Sequence, residues 1–220
     1  MPRLLFEKTG SAVWMSHLDL MRLMQRAFKR AGLPLTHTKG FNPRPSVSIA
    51  LPLSVGVESQ CELLDFDLEG EPVSEEEILG RLNACLVPGV KGLACYQGGR
   101  KLRDLALLQC RLTLEYDRGI PQGAMEAILA LFSRESLVVS KKGKNGTVEQ
   151  DIIPMLHGLR LEEGGAGQQL LLNACICCQN PTLNPNQLLE AIKVYLPELA
   201  PDFCHVAREE IYDSQKNIFR

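Results

Sequence analysis

The residues best equipped for chemistry stand together near the start of the chain. Ser16-His17-Leu18-Asp19-Leu20-Met21-Arg22 places a hydroxyl, an imidazole, a carboxylate and a guanidinium within seven positions. On a helix His17 and Asp19 point in different directions, whereas Asp19, Arg22, Arg26 and Arg30 follow one another at three- and four-residue steps along one face. That is a stripe of cations and not a catalytic pair. Forked guanidiniums in such a comb suit phosphates or carboxylates. The plainer alternative is a solvated face in which Asp19 pairs with Arg22 for about 0.3–0.5 kcal/mol. Histidine as a residue type changes charge near neutral pH, so an enzymatic reading of the same residues is a metal-independent ribonuclease with His17 as general acid or base.

A second cluster is the loop Gly40-Phe41-Asn42-Pro43-Arg44-Pro45, preceded by Lys39. Two prolines make it rigid, and rigid loops present polar groups, so Lys39 and Arg44 extend the basic field. Lys39-Gly40-Phe41 imitates the opening of an RNA-recognition-motif signature, but the continuation NPRPSV lacks the aromatic strand that stacks bases. A third cluster, SKKGKNG over residues 140–146, concentrates Lys141, Lys142 and Lys144 on an expected hairpin tip that could hold a polyanion, with Asp151 following it. Cys175, Cys177 and Cys178, with His157, Cys204 and His205 further off, invite a metal reading, but the paired C-x2-C spacing of structural sites is missing. Buried packing of these thiols is the better expectation. With no P-loop, dinucleotide fingerprint or nucleophile elbow either, neither metal nor cofactor is expected.

Elements that position these groups can be read from periodicity. Ser16 and Asp19 form a capping box ahead of Leu20, Met24, Ala27 and Ala31 at helical spacing, and Gly32 and Pro34 stop the helix. Residues 3–8 read as a strand, 33–38, 46–53 and 61–68 as extended segments, and Ser74 with Glu77 caps a second helix before a strand at 90–96. The second half predicts strands at 105–116, 136–142, 168–177 and 204–212, with helices after Pro121 and over 186–196; residues 147–163, interrupted by Pro154 and Gly158, are left unplaced. Each half thus approximates β-α-β-β-α-β. The expected fold is α+β, two tandem ferredoxin-like units with antiparallel sheets over residues 1–103 and 104–220.

Composition fits that size. The 220 residues are 45% hydrophobic, 23% charged and 5% aromatic, those of an ordinary globular chain, and the absence of a leader or long apolar run predicts a cytoplasmic protein with reduced cysteines. The net charge of −2 conceals a segregation. Residues 1–45 carry eight basic side chains against two acidic ones, and residues 58–77 carry nine acidic ones and no basic one. Two outcomes are open: the segments neutralise one another in the fold, or the basic one faces a phosphate-bearing partner.

Residues 8–59, from Lys8-Thr9-Gly10 through SHLD and GFNP to Gly56-Val57-Glu58-Ser59, closely resemble a bacterial family of uncharacterised radical-SAM-associated proteins, domain of unknown function 2344. Its members occur alone or at the C-terminus of radical SAM proteins, some with a cobalamin-binding region. The resemblance implies a motif surface of Ser16, His17, Asp19, Arg22, Gly40, Phe41, Asn42, Pro43, Gly56 and Glu58, with Asp151 at a second marker. It implies no catalytic residue. Because the C-x3-C-x2-C run of a radical SAM cluster is missing here, the implied partner is a radical SAM protein supplied in trans. Together with the charge segregation, this predicts a non-catalytic RNA-binding or substrate-presenting accessory protein. In that reading Arg22, Arg26, Arg30, Lys39, Arg44, Lys141 and Lys142 contact the phosphates of a tRNA or rRNA, and His17 and Asn42 add specific contacts. Alternatives are the His17 ribonuclease and a protein-interaction scaffold docking through the acidic segment.

Overall fold

Alternation in the first strand sets up the core of the N-terminal half. In β1 (Arg3–Lys8) the inward row Leu4, Phe6 and Lys8 is fully buried. Helix α1 (His17–Arg30) supplies Leu20, Met24, Ala27 and Phe28 as its buried stripe, and β2 (Val47–Ile49) and β3 (Val57–Phe66) follow. The Phe28 ring meets Phe66 of β3 at 4.8 Å between centroids, so helix and sheet lock through an aromatic pair. Burying a side chain of this size stabilises the fold by roughly 1.5–3 kcal/mol. Helix α2 (Glu75–Asn83) begins at Ser74, whose hydroxyl accepts the Glu77 N–H, and β4 (Val90–Tyr96) closes the unit. The computed structural model describes the chain except residues 144 and 145, and it divides into two compact units, Met1–Asp104 with Arg220, and Leu105–Phe219.

In the first unit the strands lie in the order β4-β1-β3-β2, each pairing antiparallel. Residues 33–38, expected to be extended, form two isolated bridges, Leu35 to Leu68 and His37 to Pro45. Pro34 has no N–H to give a ladder, and Leu33 and Leu35 bury themselves without one. The strand expected over 46–53 shortens to three residues, ending ahead of Pro52.

The second unit runs β5 (Leu105–Glu115), α3 (Ala124–Phe132), β6 (Val138–Gly143), β7 (Gly146–Asp151), β8 (Leu156–Glu163), β9 (Gln169–Cys177), α4 (Asn186–Tyr195) and β10 (Phe203–Asp213). Its main sheet has the antiparallel order β10-β5-β9-β8, and β6 and β7 make a separate two-stranded sheet. The strand expected over 136–142 therefore lies in the small sheet, and beside β9 runs β8, from the segment left unplaced. Asp151 turns the chain between them: its carboxylate accepts the N–H groups of Leu137 at 2.9 Å and Ile153 at 3.1 Å. On β5 and β9, Leu108, Cys110, Leu112, Leu114, Leu170, Leu172, Ala174 and Ile176 are buried, and Gln109, Arg111, Asn173 and Cys175 alternate with them on a half-exposed face. The described residues thus form a mixed α and β fold with four α-helices and mostly antiparallel strands.

Candidate functional site

Lys8 builds the site from beneath. Its ammonium, fully buried, donates to the carbonyl oxygens of Val13 at 3.1 Å, Met15 at 3.3 Å and Ser54 at 3.5 Å. These bonds tie the 3-10 turn Gly10–Trp14 and the approach to α1 onto the loop before β3. Gly56 completes the join: its N–H donates to the Val13 carbonyl at 2.8 Å, its φ is +80°, and the Trp14 ring lies 3.7 Å from where a Cβ would sit. Trp14 is thereby propped outward and stays 66% exposed. Ser59 and Glu62 are buried on the neighbouring β3, where the Ser59 hydroxyl donates to the Glu62 carboxylate at 2.7 Å. Glu58 is half-buried on the same strand.

Above this base Ser16 caps α1. Its oxygen accepts the Asp19 N–H at 3.2 Å, and its hydroxyl donates to Asp19 Oδ2 at 2.7 Å, while Arg22 Nη1 donates to Asp19 Oδ1 at 3.0 Å. The Ser16 hydroxyl first, and Arg22 second, hold the Asp19 carboxyl below its ordinary value of 3.8. Asp19 therefore orients Arg22 and is not engaged with His17. The His17 ring has a buried Nδ1 without a hydrogen-bond partner among the described residues.

The arginine stripe is brought together in part. Asp19, Arg22 and Arg26 line one depression of about 370 Å³ with Met15 and Leu23. Arg30 lies at the far end, where its guanidinium donates to the Cys85 carbonyl and ties α1 to the end of α2. Next along the helix, Gln25 and Lys29 line a cavity of about 420 Å³ whose other walls include Leu33, Pro34, His37, Pro45 and Glu69. Pro45 and His37 are the base of the GFNPRP loop, which closes through Thr38 N–H to the Arg44 carbonyl at 2.8 Å and Arg44 N–H to the Thr38 hydroxyl at 3.0 Å. That loop stands clear of the unit: Lys39, Gly40, Phe41, Asn42, Pro43 and Arg44 are all exposed.

Not every cation in the basic segment belongs to this surface. Arg3 is buried and forks onto Asp65, Nε to Oδ1 at 2.5 Å and Nη2 to Oδ2 at 3.0 Å, which joins the basic and acidic segments directly. The charge segregation is therefore partly offset inside the fold, and apart from the buried Lys8 the remaining cations gather on α1 and its loop. In the other unit Lys141 donates to the Thr182 carbonyl at 3.1 Å, and the side chains of Lys142 and Lys144 lie outside the described residues. Cys177 sits 3.2 Å from His157 Nε2, and Cys178 is buried. Burial pushes the Cys178 thiol up to about 12, and among the described residues no three His, Cys, Asp or Glu side chains converge on a metal site.

Sequence reasoning missed Lys8, Met15, Trp14 and His37. For Lys8 a signal existed: it shares the inward parity of Leu4 and Phe6, so a strand over 3–8 must bury it.

Compared with known proteins, residues 2–185 match the family described as "Uncharacterized protein conserved in bacteria (DUF2344)". No curated protein matches the sequence. Among solved structures the chain is similar to one in the crystal structure of a Cbf5-Nop10-Gar1 complex. The TM-score is 0.50 at 9% identity, and the match covers 96% of this chain and 48% of that one. This chain thus spans about half the length of that relative, and at such low identity the likeness is one of fold alone.

Proposed function

This chain belongs to the uncharacterised bacterial family matched over residues 2–185, and from that premise and its own surface we propose a non-catalytic RNA-binding accessory protein of the cytoplasm. It presents RNA to a separate radical SAM enzyme. The observation that carries the reading is the continuity of one cationic face. Arg22 and Arg26 share a depression, Lys29 lines the next cavity along the same helix, and that cavity reaches the base of the loop bearing Lys39 and Arg44. Guanidiniums set three or four residues apart meet successive phosphates, and the exposed Phe41 and Trp14 add ring faces on which bases stack. His17 and Asn42, at the helix start and the loop, supply polar edges between them.

The scaffold of the reading is a pair of ferredoxin-like units. Each unit has the β-α-β-β-α-β succession, and the orders β4-β1-β3-β2 and β10-β5-β9-β8 are the same order when counted within each unit, once the β6-β7 hairpin is treated as an insertion.

The test is equilibrium binding of the full chain to a bulk tRNA pool across a salt series. Affinity should fall steeply with salt, and Arg22→Glu with Arg26→Glu should weaken binding at least 10-fold and lower the log–log salt slope by about 2. Binding that is absent at low salt, or indifferent to that double change, refutes the proposal.

A further inference from the structure

The half-exposed face of the second unit's sheet holds a separate cavity of about 470 Å³, within the usual range of small-ligand sites. Its lining is polar. Antiparallel register sets Asn173 of β9 between Arg111 of β5 and Arg160 of β8, and Gln109 of β5 opposite Cys175 of β9. The charges divide unevenly. Arg111 is offset by Glu209 at 3.0 Å, and Glu162 accepts from the Asn173 amide at 3.2 Å, while among the described residues Arg160 and Lys216 form no ion pair.

Lys216 reaches this cavity by an unusual route. It is a non-glycine residue at φ +62°, a conformation that L side chains rarely adopt. The buried Asp213 carboxylate imposes it, accepting from the N–H groups of Gln215 at 2.8 Å and Asn217 at 2.9 Å, while the Lys216 N–H returns to the Asp213 carbonyl at 3.1 Å. The Lys216 ammonium is delivered to the rim, 3.4 Å from the His157 carbonyl. Backbone strain of this kind is a reason to ask what the side chain is for. The floor is opened by Gly158, where an added Cβ would meet nothing within 4 Å.

We propose that this cavity binds a nucleotide, with Arg160 and Lys216 on its phosphate and the Gln109 and Asn173 amides on the edge of its base. The assignment follows from complementarity. Two cations at one cavity that form no ion pair among the described residues call for a multiply charged oxyanion. Carboxamides offer a donor and an acceptor together, the pattern by which Asn and Gln read bases. Asn173 gives an N–H to Glu162, and its amide oxygen supplies the acceptor for the base. The site uses no residue of the cationic face on the first unit.

Calorimetric titration of the full chain with the four ribonucleoside 5′-monophosphates, the matching nucleosides and ribose 5-phosphate tests it. At least one monophosphate should bind saturably, and its nucleoside and ribose 5-phosphate at least 10-fold more weakly. Arg160→Ala and Lys216→Gly should each cost about 10-fold in affinity; the latter relieves the strained backbone, so its melting temperature should not fall. Gly158→Val, which adds bulk in open space at ordinary φ, should fold and block binding. Arg22→Glu with Arg26→Glu should leave nucleotide affinity unchanged, which separates this site from the RNA face. Competition by a single-stranded RNA decamer identifies a nucleotide within a chain as the occupant, and failure to compete identifies a free one. Absence of saturable binding by all four nucleotides, equal binding of ribose 5-phosphate, or insensitivity to Arg160→Ala and Gly158→Val overturns the proposal.

Discussion

Lys8 shows how far a single residue's role depends on partners remote in sequence. By composition it is one of eight cations in a basic segment, yet its ammonium is enclosed and spent on carbonyls of residues 13, 15 and 54. Its neighbour in that tally, Arg3, is matched by a carboxylate 62 residues away. Neither partner can be found by counting charges in a window, whereas the parity of the strand does foretell burial. Replacing Lys8 with Met keeps the apolar stem and removes the donors, leaving the Met15 carbonyl without its lysine partner and the Val13 and Ser54 carbonyls with only the Gly56 and Val57 N–H groups. Removing one side of such a buried charged group costs on the order of 3 kcal/mol. Urea denaturation should show that loss for Lys8→Met, and hydrogen exchange should quicken in residues 9–16. A variant as stable as the parent, with unchanged exchange there, would contradict the role assigned to Lys8.

At the scale of elements, helices were the most legible parts, because their signals are local. Ser16 and Ser74 cap α1 and α2 as their spacing foretells, each accepting the N–H three residues on. Strand pairing was less legible, since a segment's partner is set by the rest of the sheet. Residues 147–163 look broken by Pro154 and Gly158, yet they supply β7 and β8. The break itself is a turn, organised by Asp151, whose carboxyl is held below its ordinary value of 3.8 first by the Leu137 N–H, then by the Ser136 hydroxyl and the Ile153 N–H. A carboxylate with a depressed folded-state value contributes stability that is present above its unfolded value and lost as the pH falls through the folded one. Asp151→Asn should therefore lower stability at neutral pH and flatten its fall below about pH 4, the ordinary Asp range. Denaturation midpoints of parent and variant at pH 7 and pH 3 should converge as the pH drops. Equal midpoint differences at both would remove Asp151 from the list of groups that shape the acid limb.

For the molecule as a whole, average charge and local charge make opposite forecasts. The chain carries a net charge of −2 with a sequence pI near 6.1, which alone predicts indifference or repulsion toward polyanions at pH 7. A Debye length of about 10 Å at 0.1 M salt means that a polyanion senses the nearest few side chains and not the sum. The cationic face of α1 and its loop should therefore retain the protein on immobilised heparin at pH 7 and low salt, with release as the Debye length shortens past that value. Arg22→Glu with Arg26→Glu changes the net charge by four units; so does Arg118→Glu with Lys193→Glu, at exposed positions of the second unit. If the face governs retention, only the first pair abolishes it. If both pairs abolish it equally, average charge governs after all, and the cationic face loses its standing as a nucleic-acid surface.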